Sequence, residues 1–458
     1  MNRRHSPLAN AENQLIRLPM RPTLDASPLA HSLPLVAPAC IDPAAAPLGS
    51  GIAASAAVHK AALPHVLFVD QSGQLGGAEF ALLQLAEHYP SHMEVVLLAD
   101  GPFRLRLEAL GARVQIINDA SVSGIARQAS ALNCLRVLPG IVRQVRAIAA
   151  RAQAFDMLFV NTQKALVLGA LGKALHRKPV VWYQHDILTR EHFGRVQLAV
   201  VKWAVRLAVD QVIVNSRASA KSLAALTGRA ADTAPVVYNG IDASAFNCVD
   251  GTDMGMLRQR LGLPEHAWLA GLFGRLAPWK GQHIALEALT RLPDAHLVLV
   301  GAPLFGEDAY AQRLRDEASA LGIAERVHFA GFQDDIPAWM KAMNVILHTS
   351  TEPEPFGRVI VEGMAAGRPV IAAAAGGVTE IVRHGRNGWL VKPGDAAVLA
   401  DAIGVLRNDP ALAQRLAQQA LLDAQAEFSV DQYVQRMMDA LSKAVKRRDG
   451  EANAQTSP

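Results

Sequence analysis

The sequence predicts an α/β protein with two doubly wound, Rossmann-like domains that face a central cleft. Short apolar runs of strand length alternate with longer runs of helix length, which is typical of parallel sheets covered by helices on both faces. This alternation begins at residue 64 and starts a second time at Trp268, and 458 residues are enough to bury two cores. Ligands of such sheets bind beyond the carboxyl ends of the strands, so we expect the site in the cleft.

The first cycle opens with an apolar run at His65–Asp70, which ends in a glycine-rich turn and leads into a helical run at Ala78–Tyr89. A short apolar run bounded by turn residues indicates a buried parallel strand. Further strands are predicted at Glu94–Ala99, Arg113–Ile117, Met157–Asn161, Pro179–Tyr183, Gln211–Asn215 and Val236–Tyr238, and further helices at Phe103–Leu110 and 133–153.

The second cycle opens with a strand at Leu269–Phe273 and a helix at His283–Leu292. More strands are predicted at His296–Val300, Arg326–Phe329, Asn344–His348, Pro369–Ala372 and Gly388–Val391. The domains are therefore expected at residues 63–243 and 265–425, with a linker at 244–264 and a last helix at 426–445 that in one arrangement crosses back to the N-terminal domain.

Composition narrows the class of protein. Residues 1–62 are rich in Ala, Pro and Ser without periodicity, so a disordered tail is predicted there, and residues 446–458 are predicted as a second loose tail. A net charge of +4 without basic stretches interleaved with aromatics argues against nucleic-acid binding. Cys40, Cys134 and Cys248 are too scattered for a metal or disulfide motif, which favours a reducing cytosol.

A glycine-rich turn, Gly73-Gln-Leu-Gly76-Gly77-Ala-Glu79, joins the first strand to the first helix. Glycines at such a turn let backbone N–H groups approach an anion, and the helix N-terminus adds positive potential. A simple tight turn has the same composition, so this motif alone leaves both interpretations open.

Two cations, Arg275 and Lys280, lie on the loop after the first strand of the second domain. A leaving diphosphate needs charge compensation, for which Arg can hold two oxygens at once and Lys supplies a compact charge. Cations fixed where charge develops lower the barrier of such a reaction. The alternative is a solvated loop with ordinary surface charges.

Two acids, Glu354 and Glu362, stand eight positions apart. Were all eight steps helical, their Cα atoms would be about 12 Å apart, whereas the carboxyl groups of a glycosidase pair lie about 5–9 Å apart. We therefore expect Glu354 in a loop and Glu362 in the following helix, in contact with different parts of one long ligand. Glu352, at the wrong spacing, is predicted to be a solvated loop acid.

Several motifs together resemble the retaining GT-B glycosyltransferases of family GT4. The resemblance covers roughly residues 64–440 and is strongest between 271 and 395. It is carried by Gly76-Gly77-Ala-Glu79, Tyr238-Asn239-Gly240-Ile241-Asp242, Gly274-Arg275-(x)4-Lys280-Gly281, Glu354-(x)7-Glu362 and Ala375-Gly376-Gly377-Val378-Thr379-Glu380-Ile381-Val382.

The resemblance implies that the N-terminal domain faces the acceptor and that the C-terminal domain binds a nucleotide sugar. Arg275 and Lys280 would hold the donor diphosphate, Glu362 the ribose, and Glu354 would lie near the transferred sugar. The remaining implied donor contacts are Gly76 and Gly77 over the diphosphate, the backbone of Phe356, Gly357, Arg358 and Val359 at sugar and phosphate, and Gly331 and Phe332 at the base.

Two further residues have roles that the resemblance implies. His185 matches a position beside the donor sugar and the acceptor, with a structural histidine paired to Asp186 as the alternative, and Asn239 is a hinge-side candidate for donor contact. The sequence departs from the family where Pro355 precedes Phe-Gly, which restricts the loop that carries Glu354, and where Gly363 replaces the more usual Ala. No Asp-x-Asp motif is present, so we expect a metal-independent reaction without a cofactor, in which Arg275 and Lys280 replace the cation.

Two helical stretches raise membrane contact as a possibility. The stretch at 133–151 combines four arginines and no acid with an apolar stripe, and 190–206 is a second candidate. A basic amphipathic helix can lie on an anionic membrane. Helices packed on the sheet with arginines in solvent show the same pattern, so both interpretations stay open.

The resemblance leads to a retaining, hexosyltransferase-type glycosyltransferase that uses a UDP- or GDP-sugar. The expected acceptor is a hydroxyl of a glycan or lipid-linked saccharide in bacterial surface polysaccharide synthesis, and the expected location is cytoplasmic, with peripheral contact at the inner face of the membrane. The alternatives are a non-catalytic nucleotide-sugar-binding protein and another GT-B enzyme, such as a sugar-nucleotide epimerase or a phosphorylase, which fold alone does not separate.

Overall fold

A computed structural model describes residues 64–119, 131–247, 253–304 and 306–456. The tail predicted at 1–62 lies outside the described residues. Within them the chain forms two parallel sheets of six strands each, so the prediction of two Rossmann-like domains is confirmed.

The N-terminal sheet has the strand order β3-β2-β1-β4-β5-β6, with every pair parallel. Its central strands are buried on both faces, which is why they appear in the sequence as continuous apolar runs. The strands are β1 (Val66–Asp70), β2 (Met93–Leu97), β3 (Arg113–Ile116), β4 (Met157–Val160), β5 (Val180–Gln184) and β6 (Gln211–Val214).

The C-terminal sheet has the equivalent order β12-β11-β10-β7-β8-β9 and is also parallel throughout. The chain reverses direction across each sheet beside its first strand, where a crevice opens at the carboxyl ends. The strands are β7 (Trp268–Phe273), β8 (Ala295–Val300), β9 (Val327–Gly331), β10 (Val345–His348), β11 (Val370–Ala373) and β12 (Trp389–Val391).

Helices cover both faces of the N-terminal sheet. Helices α3, α4 and α5 lie side by side over one face, where their inner side chains join the core beneath them, while α1 and α2 cover the other face. The helices are α1 (Gly77–His88), α2 (Pro102–Ala109), α3 (Ala131–Ala152), α4 (Gln163–His176), α5 (Arg195–Ala208) and α6 (Arg217–Thr227).

The described part of the C-terminal half contains nine further helices before the last one. Two of them, α7 and α8, lie in the segment predicted as a linker, where Asp253 caps α8 by accepting a hydrogen bond from the Met256 N–H. The helices are α7 (Ser244–Asn247), α8 (Met254–Arg260), α9 (Gln282–Leu289), α10 (Asp308–Ala320), α11 (Ile336–Lys341), α12 (Arg358–Ala365), α13 (Val378–Ile381), α14 (Ala396–Asn408) and α15 (Pro410–Glu427).

The last helix, α16 (Val430–Thr456), packs against the N-terminal domain. The hydroxyl of Tyr433 donates a hydrogen bond of 3.0 Å to the carbonyl of Ala81 in α1, and Met437 and Leu441 are buried in the same core. The helix is continuous through residues 446–456, the segment for which the sequence predicts a loose tail.

One predicted strand is not formed, and the described helices are not of the membrane-spanning type. The strand predicted at Val236–Tyr238 is wrong, because only a single bridge joins Val236 to Val214. No helix within the described ranges has both the length and the apolar composition that a bilayer crossing requires.

Candidate active site

The loop after β7 brings Lys280 to the carboxyl end of β10. Gly281 follows Lys280 with a φ of +71°, and a Cβ added there would lie 2.1 Å from the carbonyl oxygen of Thr349. The hydroxyl of Thr349 donates a hydrogen bond of 2.9 Å to the Lys280 carbonyl. Only glycine allows this close approach, which fixes the loop against the segment after β10.

Lys280 forms an ion pair with Glu354 in that segment. The Lys280 Nζ lies 2.8 Å and 2.9 Å from the two carboxylate oxygens, and the two side chains are only 17% and 12% exposed. The hydroxyl of Ser350 donates a 2.9 Å hydrogen bond to Glu354 Oε2, and His348 Nε2 lies 3.2 Å from the same oxygen. Glu354 is therefore held from several sides.

The electrostatics of this pair keep Glu354 charged. Burial alone would raise the pKa of its carboxyl group, but the charge of Lys280 and the hydrogen bond from His348 outweigh burial and lower the pKa below its ordinary value. At neutral pH the site therefore presents an ionised carboxylate beside an ammonium group.

Arg275 approaches the same place from the start of the loop. Its guanidinium carbon lies 5.7 Å from the centre of the Trp279 ring, and the Lys280 Nζ lies 4.2 Å from the same centre. Arg275 is also 3.9 Å from the carboxylate of Glu307. The guanidinium of Arg275 and the ammonium of Lys280 therefore both lie close to the Trp279 ring. The sequence analysis did not assign a role to Trp279.

Glu354 and Glu362 occupy the positions expected from their spacing, in the loop before α12 and within α12. Glu362 accepts a hydrogen bond of 3.1 Å from Arg358. Arg358 also donates a 3.4 Å hydrogen bond to the Gly240 carbonyl and lies 5.3 Å from the ring centre of Phe80. Its side chain therefore extends to the N-terminal domain, whereas only its backbone had been assigned a role.

The glycine turn of the N-terminal domain faces this arginine. A Cβ added to Gly77 would lie 3.7 Å from Arg358 Cδ, and one added to Gly76 would lie 2.8 Å from the carboxylate of Glu79. The structure thus brings Gly76 and Gly77 to the N-terminus of α12, where backbone N–H groups provide positive potential. Val359, the next predicted donor contact, is the second residue of α12.

The loop that carries Glu354 is held by a backbone hydrogen bond and by the packing of one aromatic side chain. Gly377 N–H donates a 2.8 Å hydrogen bond to the Glu354 carbonyl. Phe356 is buried, with its ring 5.9 Å from the rings of both Tyr238 and Phe428, and Gly357, the N-cap residue just before α12, has a φ of +102°. The Phe356 side chain therefore anchors the loop, which leaves its backbone as the part available to a ligand.

Three other predicted residues differ in their surroundings. Gly331 ends β9 with a φ of +70°. The side chain of Phe332 next to it is 71% exposed, as expected of a side chain that contacts a nucleotide base. Asn239 is buried, and its Oδ1 accepts a 2.9 Å hydrogen bond from the hydroxyl of Tyr183. Its side-chain oxygen is thus already engaged by the protein.

His185 follows β5 at the carboxyl edge of the N-terminal sheet, and its partner is Asn161 rather than Asp186. The Asn161 Nδ2 group donates to Asp70 Oδ2 at 2.6 Å and to the Ala78 carbonyl at 3.2 Å. These two acceptors orient the amide so that its Oδ1 lies 2.9 Å from His185 Nε2. His185 therefore carries its proton on Nε2, and its Nδ1 is an acceptor.

Burial sets the protonation of this group. Burial lowers the pKa of His185 to about 3, so its ring is neutral near pH 7. Burial raises the pKa of Asp70 to about 6, and burial together with the charge of Asp70 raises the pKa of Glu79 to about 8. The sequence analysis missed Asp70 and Asn161, although polar residues that end neighbouring buried strands are a signal for them.

Two further contacts join the domains. The Glu380 carboxylate accepts hydrogen bonds of 2.8 Å from the backbone N–H groups of Arg217 and Ala218 and one of 3.0 Å from the Tyr238 hydroxyl. Glu352, predicted as a solvated loop acid, lies in a loop with its side chain 39% exposed, and its carboxylate is 3.1 Å from His192 Nε2 of the other domain.

In the part of the chain that the structure describes, no three His, Cys, Asp or Glu side chains lie close enough together to hold a metal ion. Metal independence stays a prediction, which activity in the presence of EDTA would test.

Family comparisons cover both halves of the chain. Residues 254–422 match the model described as "Glycosyl transferases group 1", and residues 75–245 match the model described as "Glycosyltransferase Family 4". The first match contains the Lys280–Glu354 pair and α12, and the second contains the glycine turn and His185.

Individual relatives of the chain are also glycosyltransferases by name. A D-inositol 3-phosphate glycosyltransferase of Thermomonospora curvata is 34% identical over 311 residues, which is 63% of this chain and 72% of the relative. A protein of that name from Acidothermus cellulolyticus is 34% identical over 251 residues, or 53% of this chain and 55% of the relative.

A solved structure matches more of the chain. The Anabaena protein Alr3699/HepE in complex with UDP and glucose is 39% identical, with a TM-score of 0.75 over 82% of this chain and 99% of that protein. In complex with UDP-glucose the same protein is 38% identical, with a TM-score of 0.75 over 83% of this chain and 100% of that protein.

Proposed function

The chain belongs to the family 4 glycosyltransferases, which have the GT-B fold, and on this premise we propose that it transfers glucose from UDP-glucose to a hydroxyl group. The observation that carries the proposal is the Lys280–Glu354 pair, held beside Arg275 at the carboxyl edge of the C-terminal sheet. Arg358, which begins the helix after the Glu354 loop, faces the glycine turn of the other domain.

The choice of donor is supported by the solved relative. The Anabaena protein, at 38–39% identity, has been captured with UDP, glucose and UDP-glucose. In this chain Arg275 and Lys280 are the cations that would bind the diphosphate, and Glu362 would bind the ribose. The exposed Phe332 beside Gly331 would contact the base.

The proposed reaction retains the configuration at the sugar's C1 carbon. The bond between C1 and the diphosphate oxygen breaks, UDP leaves with the electron pair, and Lys280 and Arg275 stabilise its growing charge. The acceptor oxygen bonds to C1 on the same face, and its proton passes to a diphosphate oxygen. Glu354 would keep Lys280 in place until the donor arrives, and closure of the cleft would exclude water.

The proposed acceptor is a glycan or lipid-linked saccharide of bacterial surface polysaccharide synthesis. The proposed location is the cytoplasm, with peripheral contact at an anionic membrane where a lipid-linked acceptor is presented. A non-catalytic nucleotide-sugar-binding protein would need no ion pair of this kind, and an epimerase would convert the donor without an acceptor.

The first test is a donor panel. Purified protein is incubated with UDP-, GDP- and ADP-sugars, without acceptor, while its melting temperature and the release of nucleotide are measured. We expect UDP-glucose to raise the melting temperature most and to be hydrolysed slowly. In Lys280→Ala we expect nucleotide release to fall about 10²-fold, since one fixed cation at the leaving group is lost.

The matched control is Lys392→Ala, because Lys392 is exposed and lies 3.7 Å from Asp395 on the far edge of the same domain. It should behave like the wild type. A fully active Lys280→Ala protein would refute the assigned role, and a protein that no nucleotide sugar stabilises would refute the proposed donor site. D-Inositol 3-phosphate is then added as one acceptor, because relatives carry that name.

A further inference from the structure

One outer surface of the N-terminal domain exposes apolar side chains in helical register. In α5 the exposed residues Val196, Val200, Trp203 and Leu207 follow one another at intervals of four, three and four, and Val196 and Leu207 are each 78% exposed. This spacing places all four on one stripe. The opposite side of α5, with Leu198, Val201 and Val205, packs on the sheet.

The stripe continues across two neighbouring helices. Leu171 and Leu175 are exposed on α4, and Leu138 and Val142 are exposed on α3. Because α3 packs on α4 and α4 packs on α5 over one face of the sheet, their outer sides form a single surface, here called the three-helix surface. Eight large apolar side chains on one such surface exceed what scattered exposed residues account for.

The charge of these helices is one-sided. Their sequences contain nine lysines and arginines, four in α3, two in α4 and three in α5, but no aspartate or glutamate. The whole chain is nearly balanced, with 45 basic and 41 acidic residues. Arg143, Arg151 and Lys173 pair with acids of neighbouring segments. For Arg146, Arg195 and Lys202, no ion pair is found among the residues that the structure describes.

We propose that the three-helix surface binds an anionic lipid bilayer. Apolar side chains enter the boundary between headgroups and acyl chains, and the cations around them contact anionic headgroups. Trp203 suits this boundary because an indole has an apolar body and a polar N–H. The Arg206 guanidinium lies 5.8 Å from the Trp203 ring centre, so a cation and an interfacial aromatic stand side by side.

The charge pattern decides between a bilayer and a second copy of the chain. In a symmetric dimer the same surface would meet itself. Arg146, Arg195 and Lys202, for which no ion pair is found among the described residues, would then face the same cations of the second copy. Like charges across an interface oppose association. An anionic bilayer supplies both the apolar layer and the negative charge that the surface lacks.

The surface also lies next to the cleft. Helix α4 begins just after β4, and Gln163 at its start donates one hydrogen bond of 3.0 Å to Asp186, next to His185. It also accepts one from Gln197 of α5 at 2.9 Å. A bilayer on this surface would therefore lie near the acceptor side of the cleft, which favours a lipid-linked acceptor. This last step rests on the proposed function, whereas bilayer binding does not.

The test measures sedimentation of the full chain with vesicles of phosphatidylcholine alone and of phosphatidylcholine mixed with phosphatidylglycerol. We expect binding only to the mixed vesicles, weakened by salt. The variants are Trp203→Ser with Leu207→Ser, and Arg195→Glu with Lys202→Glu. Each double variant should lose about tenfold in vesicle partitioning. Val405→Ser with Leu422→Ser, at exposed positions of α14 and α15, is the matched control and should bind like the wild type.

Stabilisation by UDP-glucose is measured on every variant, so that a misfolded protein is recognised and the donor site is scored separately. Equal binding by the wild type and both test variants would overturn the proposal, as would the absence of binding to mixed vesicles. A wild-type dimer in sedimentation velocity that Trp203→Ser with Leu207→Ser dissociates would assign the surface to a second copy instead.

Discussion

Asn161 determines which ring nitrogen of His185 carries the proton and which one is free to accept a hydrogen bond. Its amide is oriented by two acceptors, Asp70 and the Ala78 carbonyl, and therefore accepts from the Nε2–H of His185. A neutral ring with a free electron pair on Nδ1 can accept a hydrogen bond from a sugar or acceptor hydroxyl. In the proposed reaction Asn161 is therefore a positioning residue, which acts through His185.

We predict that nitrogen-15 NMR will find His185 neutral and protonated on Nε2 from neutral pH down to about pH 4. Burial lowers its pKa from 6.5 to about 3, so the unfolded chain binds a proton before the folded one does. The stabilisation that results is complete above pH 6.5 and is lost as the pH falls towards 3.

In Asn161→Leu the ring loses its acceptor, and we expect the Nδ1–H form to appear with a loss of about tenfold in kcat, because positioned acid–base and hydrogen-bonding groups contribute at least that much. The KM for UDP-glucose should change little. An unchanged Nε2–H signal in this variant would show that Asn161 does not set the tautomer.

The loop before α12 depends on the glycine turn that follows β11. Gly376 has a φ of +65°, and a Cβ added there would lie 2.2 Å from the Glu354 carbonyl oxygen. The turn therefore supports the backbone of the residue that holds Lys280. A substitution in this turn acts on the ion pair without touching either charged group.

We predict that Gly376→Ala lowers both stability and activity. The left-handed conformation alone costs a non-glycine residue about 1–2 kcal/mol, and the contact with Glu354 adds to this by moving the loop. The control is Gly394→Ala, with a φ of +73° and no atom within 4 Å of an added Cβ. We expect the control to lose only the conformational cost and to keep the wild-type kcat, as thermal melts and initial rates would reveal. Equal rates for the two variants would contradict the role of the turn.

Most strands were predictable because burial on both faces of a sheet requires a continuous run of apolar residues, and the helices were predictable as the longer runs between them. The predicted strand at Met157–Asn161 differs from β4 by a single residue, since β4 is apolar throughout. The failure at Val236–Tyr238 has a physical reason as well. This segment is short, and it meets the sheet edge at one bridge only.

The charged residues of the candidate site were predictable because each of them stands in a local motif. Arg275, Lys280, Glu354 and Glu362 stand in recognisable local patterns, and the first three meet around one ion pair and one ring. Asp70 and Asn161 were missed because they are 91 positions apart, and only the parallel pairing of β1 with β4 brings them together. Each of them stands at the end of a buried strand, which is a local signal, but the sequence does not state which strand ends are neighbours.

Polar contacts orient the two domains, in addition to the aromatic contacts of Tyr238 with Phe356 and Phe428. Glu380 of the C-terminal domain accepts two backbone hydrogen bonds at the N-terminus of α6 and one from Tyr238. A carboxylate at this position also interacts favourably with the positive end of the helix dipole. Arg358 adds its contact with Gly240.

We predict that Glu380→Ala broadens the range of distances between spin labels placed on the two domains, because three hydrogen bonds between them are lost. Loss of a helix cap should lower stability by about 1 kcal/mol. The control is Glu427→Ala, since Glu427 pairs with Arg383 inside the C-terminal half at 2.7 Å. UDP-glucose should narrow the distribution of the variant again by bridging the domains. Identical distributions in Glu380→Ala and the wild type would rule out this role.

Helix α16 has a consequence for how the protein is made. Tyr433, Met437 and Leu441 complete the core of a domain whose strands are synthesised first. Domains usually fold as units while the chain emerges from the ribosome. Here the first domain must wait, with part of one apolar face uncovered, until the whole second sheet and α16 have been translated. Assembly of the protein therefore finishes at its N-terminal half, and a nascent chain stalled before α16 would expose apolar surface that chaperones bind.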